Sequence, residues 1–353
     1  MKIRVLILSN EVKNDHVPWI KACQEYKNLV NFRVVNLTAN KWFEEISKEP
    51  VDILVAKPSG FTSPFKQLYD ERIFILASIL GYQIFPSPTE IFLYENKRLL
   101  SFWLKANNIQ HPSTHVFYDY SEAYRFVETT KFPIVAKTNI GAAGSGVQIL
   151  RDNSETYRYL KSSFFGRGAY QRIGPNFEKG GLLLRGMRYF SRPWEAFERI
   201  KIYKSLTANI QKGFVILQEY IPHDFEWRVV RIGESFFAHK KVKKGEKASG
   251  TLLKEYVDPP KELLDLVASL TERFHFYSQA IDIFESPRGY LINEMQCIFG
   301  QSDPYQMLVN NKPGRYLMQS GKWCFEEGDF ARNSCYNLRL EHIINVVNSF
   351  KQV

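Results

Sequence analysis

Lys137 closes the apolar run Phe132-Pro133-Ile134-Val135-Ala136 and is followed by a G-x-x-G-x-G segment built on Gly141, Gly144 and Gly146, with Ser145 and Val147 flanking the last glycine. Glycine permits positive φ and lets backbone N–H groups come close to a polyphosphate, and a lysine adds a point charge for the same phosphates. The order is neither that of a P-loop, where the lysine follows the glycines, nor that of a Rossmann turn. By itself the segment also reads as an ordinary strand-loop-strand turn. A second group is Asp282 in Ala280-Ile281-Asp282-Ile283-Phe284, with Glu294 and Gln296 in the following strand. Two carboxylates at matching levels of a hairpin, with an amide two residues on, can hold a hard cation such as magnesium through oxygen. The alternative is a strand-end carboxylate that accepts backbone hydrogen bonds. A third group starts at Gln218-Glu219-Tyr220-Ile221-Pro222, where a strand running into proline leaves backbone groups suited to the edge of an adenine ring. Glu226 and Arg228 follow, two residues apart and therefore on one strand face. Taken singly, each is also compatible with a hairpin carrying a surface ion pair.

The elements that must position these residues follow from the hydrophobic period. Residues 4–9, 32–36 and 52–55 read as strands, and 17–26 and 66–80 as helices, the second stopped by Gly81. This alternation predicts a small parallel sheet with helices on its faces. Pro86-Ser87-Pro88-Thr89 is a stop-and-cap signal before one helix over 91–106. A helix over 120–130 and a strand over 132–136 come next. Residues 164–212 are rich in arginine, glycine and aromatics with weak periodicity, and read as a basic insertion, either a solvated flap or a lid for an anionic acceptor. Strands follow at 214–219, 227–231 and 235–242, a helix at 260–274, a hairpin from 280–284 and 290–295, and a last helix over 337–350. Four segments result: an α/β domain over 1–90, a central unit over 91–212, a third over 213–310 and a helical tail over 311–353.

Lysine and glycine loop, apolar hinge strand, E-x-R strand, then D and E-x-Q in one hairpin: in this order the chain resembles the ATP-grasp superfamily, most of all its ribosomal-protein glutamate ligase (RimK-like) branch. The stretch from 80–88, with Glu95-Asn96-Lys97, fits the same pattern. The resemblance implies a mixed α/β and α+β fold in which two α+β domains behind a parallel-sheet domain clasp ATP. By position it implies that Lys97 and Lys137 hold phosphates and that 141–147 close over them. Gln218 with Glu219, Tyr220 and Ile221 would meet adenine, and Glu226 the ribose. Asp282, Glu294 and Gln296 would hold one or two magnesium ions, with manganese as a substitute. Arg228 would stabilise an oxyanion, and Lys240 or Lys241 would reach the γ phosphate. Gln296 stands where the family usually has asparagine.

Of the 353 residues, 44% are hydrophobic, enough for extensive cores, which excludes disorder over most of the length. The longest predominantly apolar stretch, residues 73–80, is too short to cross a bilayer, and no signal-peptide pattern opens the chain, so a cytoplasmic location is expected. The four cysteines lack zinc or redox spacing and read as free thiols. A net charge of +10 favours anionic partners. The expected activity is an ATP- and magnesium-dependent carboxylate-amine ligase acting through an acyl phosphate on an anionic sugar- or peptide-related substrate. The alternatives are a kinase acting on a sugar or polyol hydroxyl, and an ATP-binding module without turnover. Specific nucleic-acid binding is not expected, because the basic residues lack regular aromatic interleaving, and a homodimer is compatible with the sequence.

Overall fold

A computed structural model describes residues 2–141, 146–169, 204, 207–208, 210–244, 247–248 and 253–351. Gly144, Ser145 and most of the basic insertion lie outside the described residues. The chain divides into two compact units, one of residues 1–59, 65–111 and 223–353, the other of 60–64 and 112–222.

The first unit opens with the expected parallel sheet. Strands β1 (Ile3–Ser9), β2 (Val30–Asn36), β3 (Ile53–Ala56) and β4 (Ile84–Phe85) lie in the order β2-β1-β3-β4. Helix α1 (Val17–Glu25) covers one face, where Trp19, Ala22 and Cys23 are buried against Ile3, Val5 and Ile7. Helices α2 (Trp42–Ser47) and α3 (Ser63–Phe74) cover the other with Trp42, Ile46, Tyr69 and Ile73. The helix expected to run to residue 80 widens into a π-helical turn over Ile75–Ile79, and Gly81 ends it at φ 70°.

The single helix expected over 91–106 is two helices, α4 (Pro88–Leu93) and α5 (Lys97–Ala106). Ser87 and Glu90 close a capping box on the first, as the stop-and-cap segment predicts. Asn96 then offers its side-chain oxygen to the Leu99 amide, starting a new helix, and Glu95 takes φ 49° to make the turn. Local capping outcompetes continuation, and Glu95 and Lys97 are thereby brought to one point.

In the second unit β5 (Thr114–Phe117), α6 (Tyr120–Thr129), β6 (Ile134–Lys137), β7 (Val147–Leu150), α7 (Asn153–Phe165) and β8 (Val215–Glu219) form an antiparallel sheet in the order β5-β8-β6-β7. Ala123 and Val127 of α6 and Leu160 of α7 bury against Ile134, Ala136 and Leu217.

The nine-stranded sheet of the first unit contains β9 (Phe225–Ile232), β10 (Ser235–Lys244), β11 (Lys247–Ala248), β12 (Lys254–Glu255), β13 (Ser278–Ser286), β14 (Gly289–Gln296), β15 (Leu308–Val309), β16 (Lys312–Gln319) and β17 (Lys322–Glu327). Helix α8 (Lys261–Arg273) buries Leu263, Leu264 and Val267 with Trp227, Val229, Ile281 and Ile283 on one face. The tail expected to be helical over 311–353 begins instead with the β16–β17 hairpin, which pairs with β10 at Phe236 and Tyr316. Its turn, Ser320-Gly321, has both residues at positive φ, as a two-residue hairpin turn requires. Helix α9 (Arg332–Lys351) starts with Asn333, Ser334 and Cys335 at positive φ, and its later turns bury Leu340, Ile343, Ile344 and Val347 against the first parallel sheet. Among the described residues no helix is long and apolar enough to cross a membrane.

Candidate functional site

Four neighbouring strands of the large sheet bring one side chain each into a single cross-strand row. Glu294 of β14 lies opposite Asp282 of β13, Asp282 opposite Arg228 of β9, and Arg228 opposite His239 of β10. Directly opposed residues share a face, so these four project together, away from the core packed by α8. The register shifts just after Asp282, a local irregularity of the kind that re-aims side chains beside functional sites.

The row is held by charge. Arg228 forks onto Asp282, Nε to Oδ1 at 2.8 Å and Nη2 to Oδ2 at 2.9 Å. Lys241 donates to Asp282 Oδ2 and to Glu226 Oε2, both at 2.6 Å. Lys97, the first residue of α5, lies 3.2 Å from Glu294 Oε1 and 4.0 Å from Glu95 Oε2. Burial alone would raise the Asp282 pKa, but Arg228 and Lys241 outweigh it and hold the carboxyl well below the usual range. Burial likewise opposes charge on Lys97 and Lys241, and their carboxylate partners reverse it, raising both.

The two candidate γ-phosphate lysines separate cleanly. Lys241 is on the acidic face, whereas Lys240 points to the opposite face, its Nζ 4.1 Å from the Phe225 ring centroid and 5.2 Å from that of Trp227. Strand alternation places Lys240 in a cation–π contact on the aromatic side and leaves Lys241 beside the carboxylates.

Gln296 donates to Glu95 Oε1 at 3.3 Å and to Glu294 Oε1 at 3.1 Å, and its own Oε1 is buried with no partner among the described residues. An unmet amide oxygen beside Glu294 and Asp282 is the donor set a hard cation takes. The described residues hold no group of three histidine, cysteine or carboxylate ligands around one point. Two carboxylates and an amide nevertheless suit magnesium, which keeps waters and phosphate oxygens for the rest of its shell. The residues present fit that ion.

The other residues assigned from sequence lie in the second unit. Lys137 ends β6 and is buried, paired in register with Val147 and Ile216. The base of the glycine loop is pinned by Thr138, whose amide donates to the Gly146 carbonyl and whose hydroxyl donates to the Ile140 carbonyl. A Cβ on Gly146 would lie 1.8 Å from Thr138 Oγ1, so this position requires glycine. Gln211 completes the base, accepting from the Asn139 amide at 2.6 Å and donating to the Ile140 carbonyl at 3.1 Å. Gln218 donates to Thr114 Oγ1, and the Glu219 amide donates to the Ser113 carbonyl. Ile221 is buried beyond the strand end.

Three contributions were not read from the sequence. Glu95 braces Lys97 and Gln296, but only the break between α4 and α5 aims it there. Gln211 sits in a segment of weak periodicity that gives no signal. Lys57, directly after β3, lies 2.9 Å from Asp15, which also accepts from Asn10 Nδ2 at 3.2 Å in the loop after β1. These polar side chains collect at the carboxyl ends of β1 and β3, the point where strand order reverses and open α/β sheets bind ligands.

No protein-family model matches the sequence, and no curated protein matches it. Among solved structures, D-alanine–D-alanine ligase from Bacillus anthracis is similar with a TM-score of 0.55 at 14% identity, over 99% of this chain and 99% of that one. The same enzyme complexed with ATP aligns at 0.52. N5-carboxyaminoimidazole synthetase from Staphylococcus aureus aligns at 0.52 and 11% identity, over 90% of this chain and 83% of that one. A RimK domain protein described as ATP-grasp, from Sphaerobacter thermophilus, gives 0.49 at 15% identity over 83% and 90%. With strand order, hairpin register and whole-chain likeness together, the chain has the ATP-grasp fold.

Proposed function

We propose that the protein is an ATP- and magnesium-dependent carboxylate-amine ligase that works through an acyl phosphate and releases ADP and phosphate. The observation that carries this reading is the Glu294–Asp282–Arg228 row, carboxylates suited to a magnesium polyphosphate beside a guanidinium suited to an oxyanion. The fold it stands on is shared along 99% of the chain with a protein named as a D-alanine–D-alanine ligase.

An ionised carboxylate is a poor electrophile, because attack by an amine would expel oxide. Transfer of the γ phosphate supplies a leaving group, and loss of phosphate then accompanies amide formation. Asp282, Glu294 and Gln296 would hold magnesium, which when bound neutralises charge on the β and γ phosphates. Lys97 and Lys137 would bind phosphate oxygens, and Gly141, Gly146 and Val147 would bring backbone N–H groups to them. Gln218, Glu219, Tyr220 and Ile221 would line adenine, and Glu226 would accept from the ribose hydroxyls. Lys241, buried between Glu226 and Asp282, would carry positive charge to the γ phosphate. Arg228 would stabilise the oxyanion of the acyl phosphate and of its tetrahedral successor. An anionic acceptor, related to an acidic sugar or peptide, suits the net charge of +10, and Lys57 offers it a buried cation.

Phosphorus NMR of the protein with magnesium-ATP and a small-molecule cell extract tests the reading, with Lys137→Ala as control. ADP and free phosphate that depend on Lys137 are the expected products. AMP with pyrophosphate, or a stable phosphorylated product without free phosphate, would refute it.

A further inference from the structure

His239 ends the row that carries Glu294, Asp282 and Arg228, and it is 2% exposed. Its Nδ1 lies 2.9 Å from the Gln306 carbonyl oxygen, which can only accept. Nδ1 therefore bears the ring proton and Nε2 keeps its lone pair. Nε2 is buried and has no partner among the described residues. A buried acceptor is normally satisfied, so this one calls for a donor in some working state of the protein.

The charged groups that face the imidazole are Arg228, Lys254 and Asp282; burial first, then the two cations, push it down to about 3, so it is a neutral acceptor throughout the physiological range. Lys254 is committed to Ser302 and Asp303. Arg228 is the directly opposed neighbour on the same face, and its fork onto Asp282 uses Nε and Nη2. That fork and Lys241 address the carboxylate oxygens that a divalent cation would take. An arginine displaced from Asp282 needs another acceptor to stay aligned, and the unmet nitrogen is one strand away.

We propose that His239 is the positioning residue of Arg228: when a divalent cation takes Asp282, the guanidinium turns one N–H to His239 Nε2 and stays aimed along the polar face. This rests on the cation and nucleotide site proposed above, and His239 acts through Arg228 rather than on substrate.

The test uses the full chain labelled with 15N-histidine and titrated with Mg2+ and the non-hydrolysable analogue AMPPNP. The Nε2 resonance is expected to move to lower frequency, as for a nitrogen that gains a hydrogen bond, with saturation, while Nδ1 stays protonated. Saturable binding with an unmoved Nε2 would overturn the positioning role and leave the nucleotide site standing. Absence of any saturable binding would overturn both. In a second measurement, Mn2+ affinity in the presence of AMPPNP should fall about tenfold in His239→Leu, the loss of one hydrogen bond to a charged group, and recover to within about threefold in His239→Gln, which keeps an acceptor. Equal affinity in His239→Leu and the unmodified protein would overturn the proposal.

Discussion

Replacing Lys241 by methionine tests the electrostatics of the candidate site most directly. Three cations, Lys97, Arg228 and Lys241, face four carboxylates, Glu95, Glu226, Asp282 and Glu294. Methionine keeps an unbranched apolar stem and removes two contacts of 2.6 Å inside a region where Asp282 is 1% and Glu226 7% exposed. Asp282 retains the Arg228 fork, whereas Glu226 keeps His223 Nε2 at only 3.8 Å. Breaking a buried pair by deleting one partner costs about 3–5 kcal/mol, because the other charge stays desolvated. Urea unfolding at neutral pH should therefore show a loss of that size. Adding Glu226→Gln should return at least about 1 kcal/mol, since the two sites are coupled. Mn2+ should stabilise the lysine variant more than the parent, having less positive charge to compete with. A loss below about 1 kcal/mol, the cost of an exposed pair, would refute this account of the site.

Two further outcomes follow from the geometry. Gly146→Ala places a methyl against the Thr138 side chain, and should cost about 1–3 kcal/mol in urea unfolding and weaken binding of a fluorescent ATP analogue. A variant as stable as the parent would show that the loop base is looser than described. His342 lies between the Phe85 and Tyr277 rings, and burial, assisted by Arg231, pushes it from its ordinary 6.5 down to about 4. A depressed folded pKa means that the unfolded chain takes the proton first, so this contribution is full above about 6.5 and is lost as pH falls through about 4, amounting to about 3 kcal/mol. His342→Phe keeps the ring contacts and should flatten the fall in thermal stability over that window; an unchanged pH profile would count against it.

Much of this was legible in the residue order. Alternating short apolar runs and helices in the first 80 residues determine a parallel sheet, because a strand buried on both faces needs a crossover element to return. The short turn at Ser286–Gly289 fixes the hairpin register as far as Ile283 opposite Ile292; continued, that register would set Asp282 opposite Asn293, and the shift between Asp282 and Ile283 is what brings Glu294 opposite it. The two-residue spacing of Glu226 and Arg228 sets their common face by the pleat alone. Ser87 and Glu90 announce their helix for the same local reason, since a cap is satisfied within four residues.

What the tertiary structure alone decided is everything that depends on a partner distant in sequence. Which of Lys240 and Lys241 meets the acids follows from the pairing of His239 with Arg228, and a slip of one residue would exchange them. Glu95 reaches Gln296 across 201 positions only because the helix breaks at Asn96. Residues 312–327 pair with each other as β16 and β17 and meet β10 at Tyr316 and Phe236, so where that hairpin sits is set by the sheet it joins. The lone pair of His239 has meaning only beside Arg228. Local chemistry is written in neighbours along the chain, whereas the balance of buried charge is a property of residues that folding brings together.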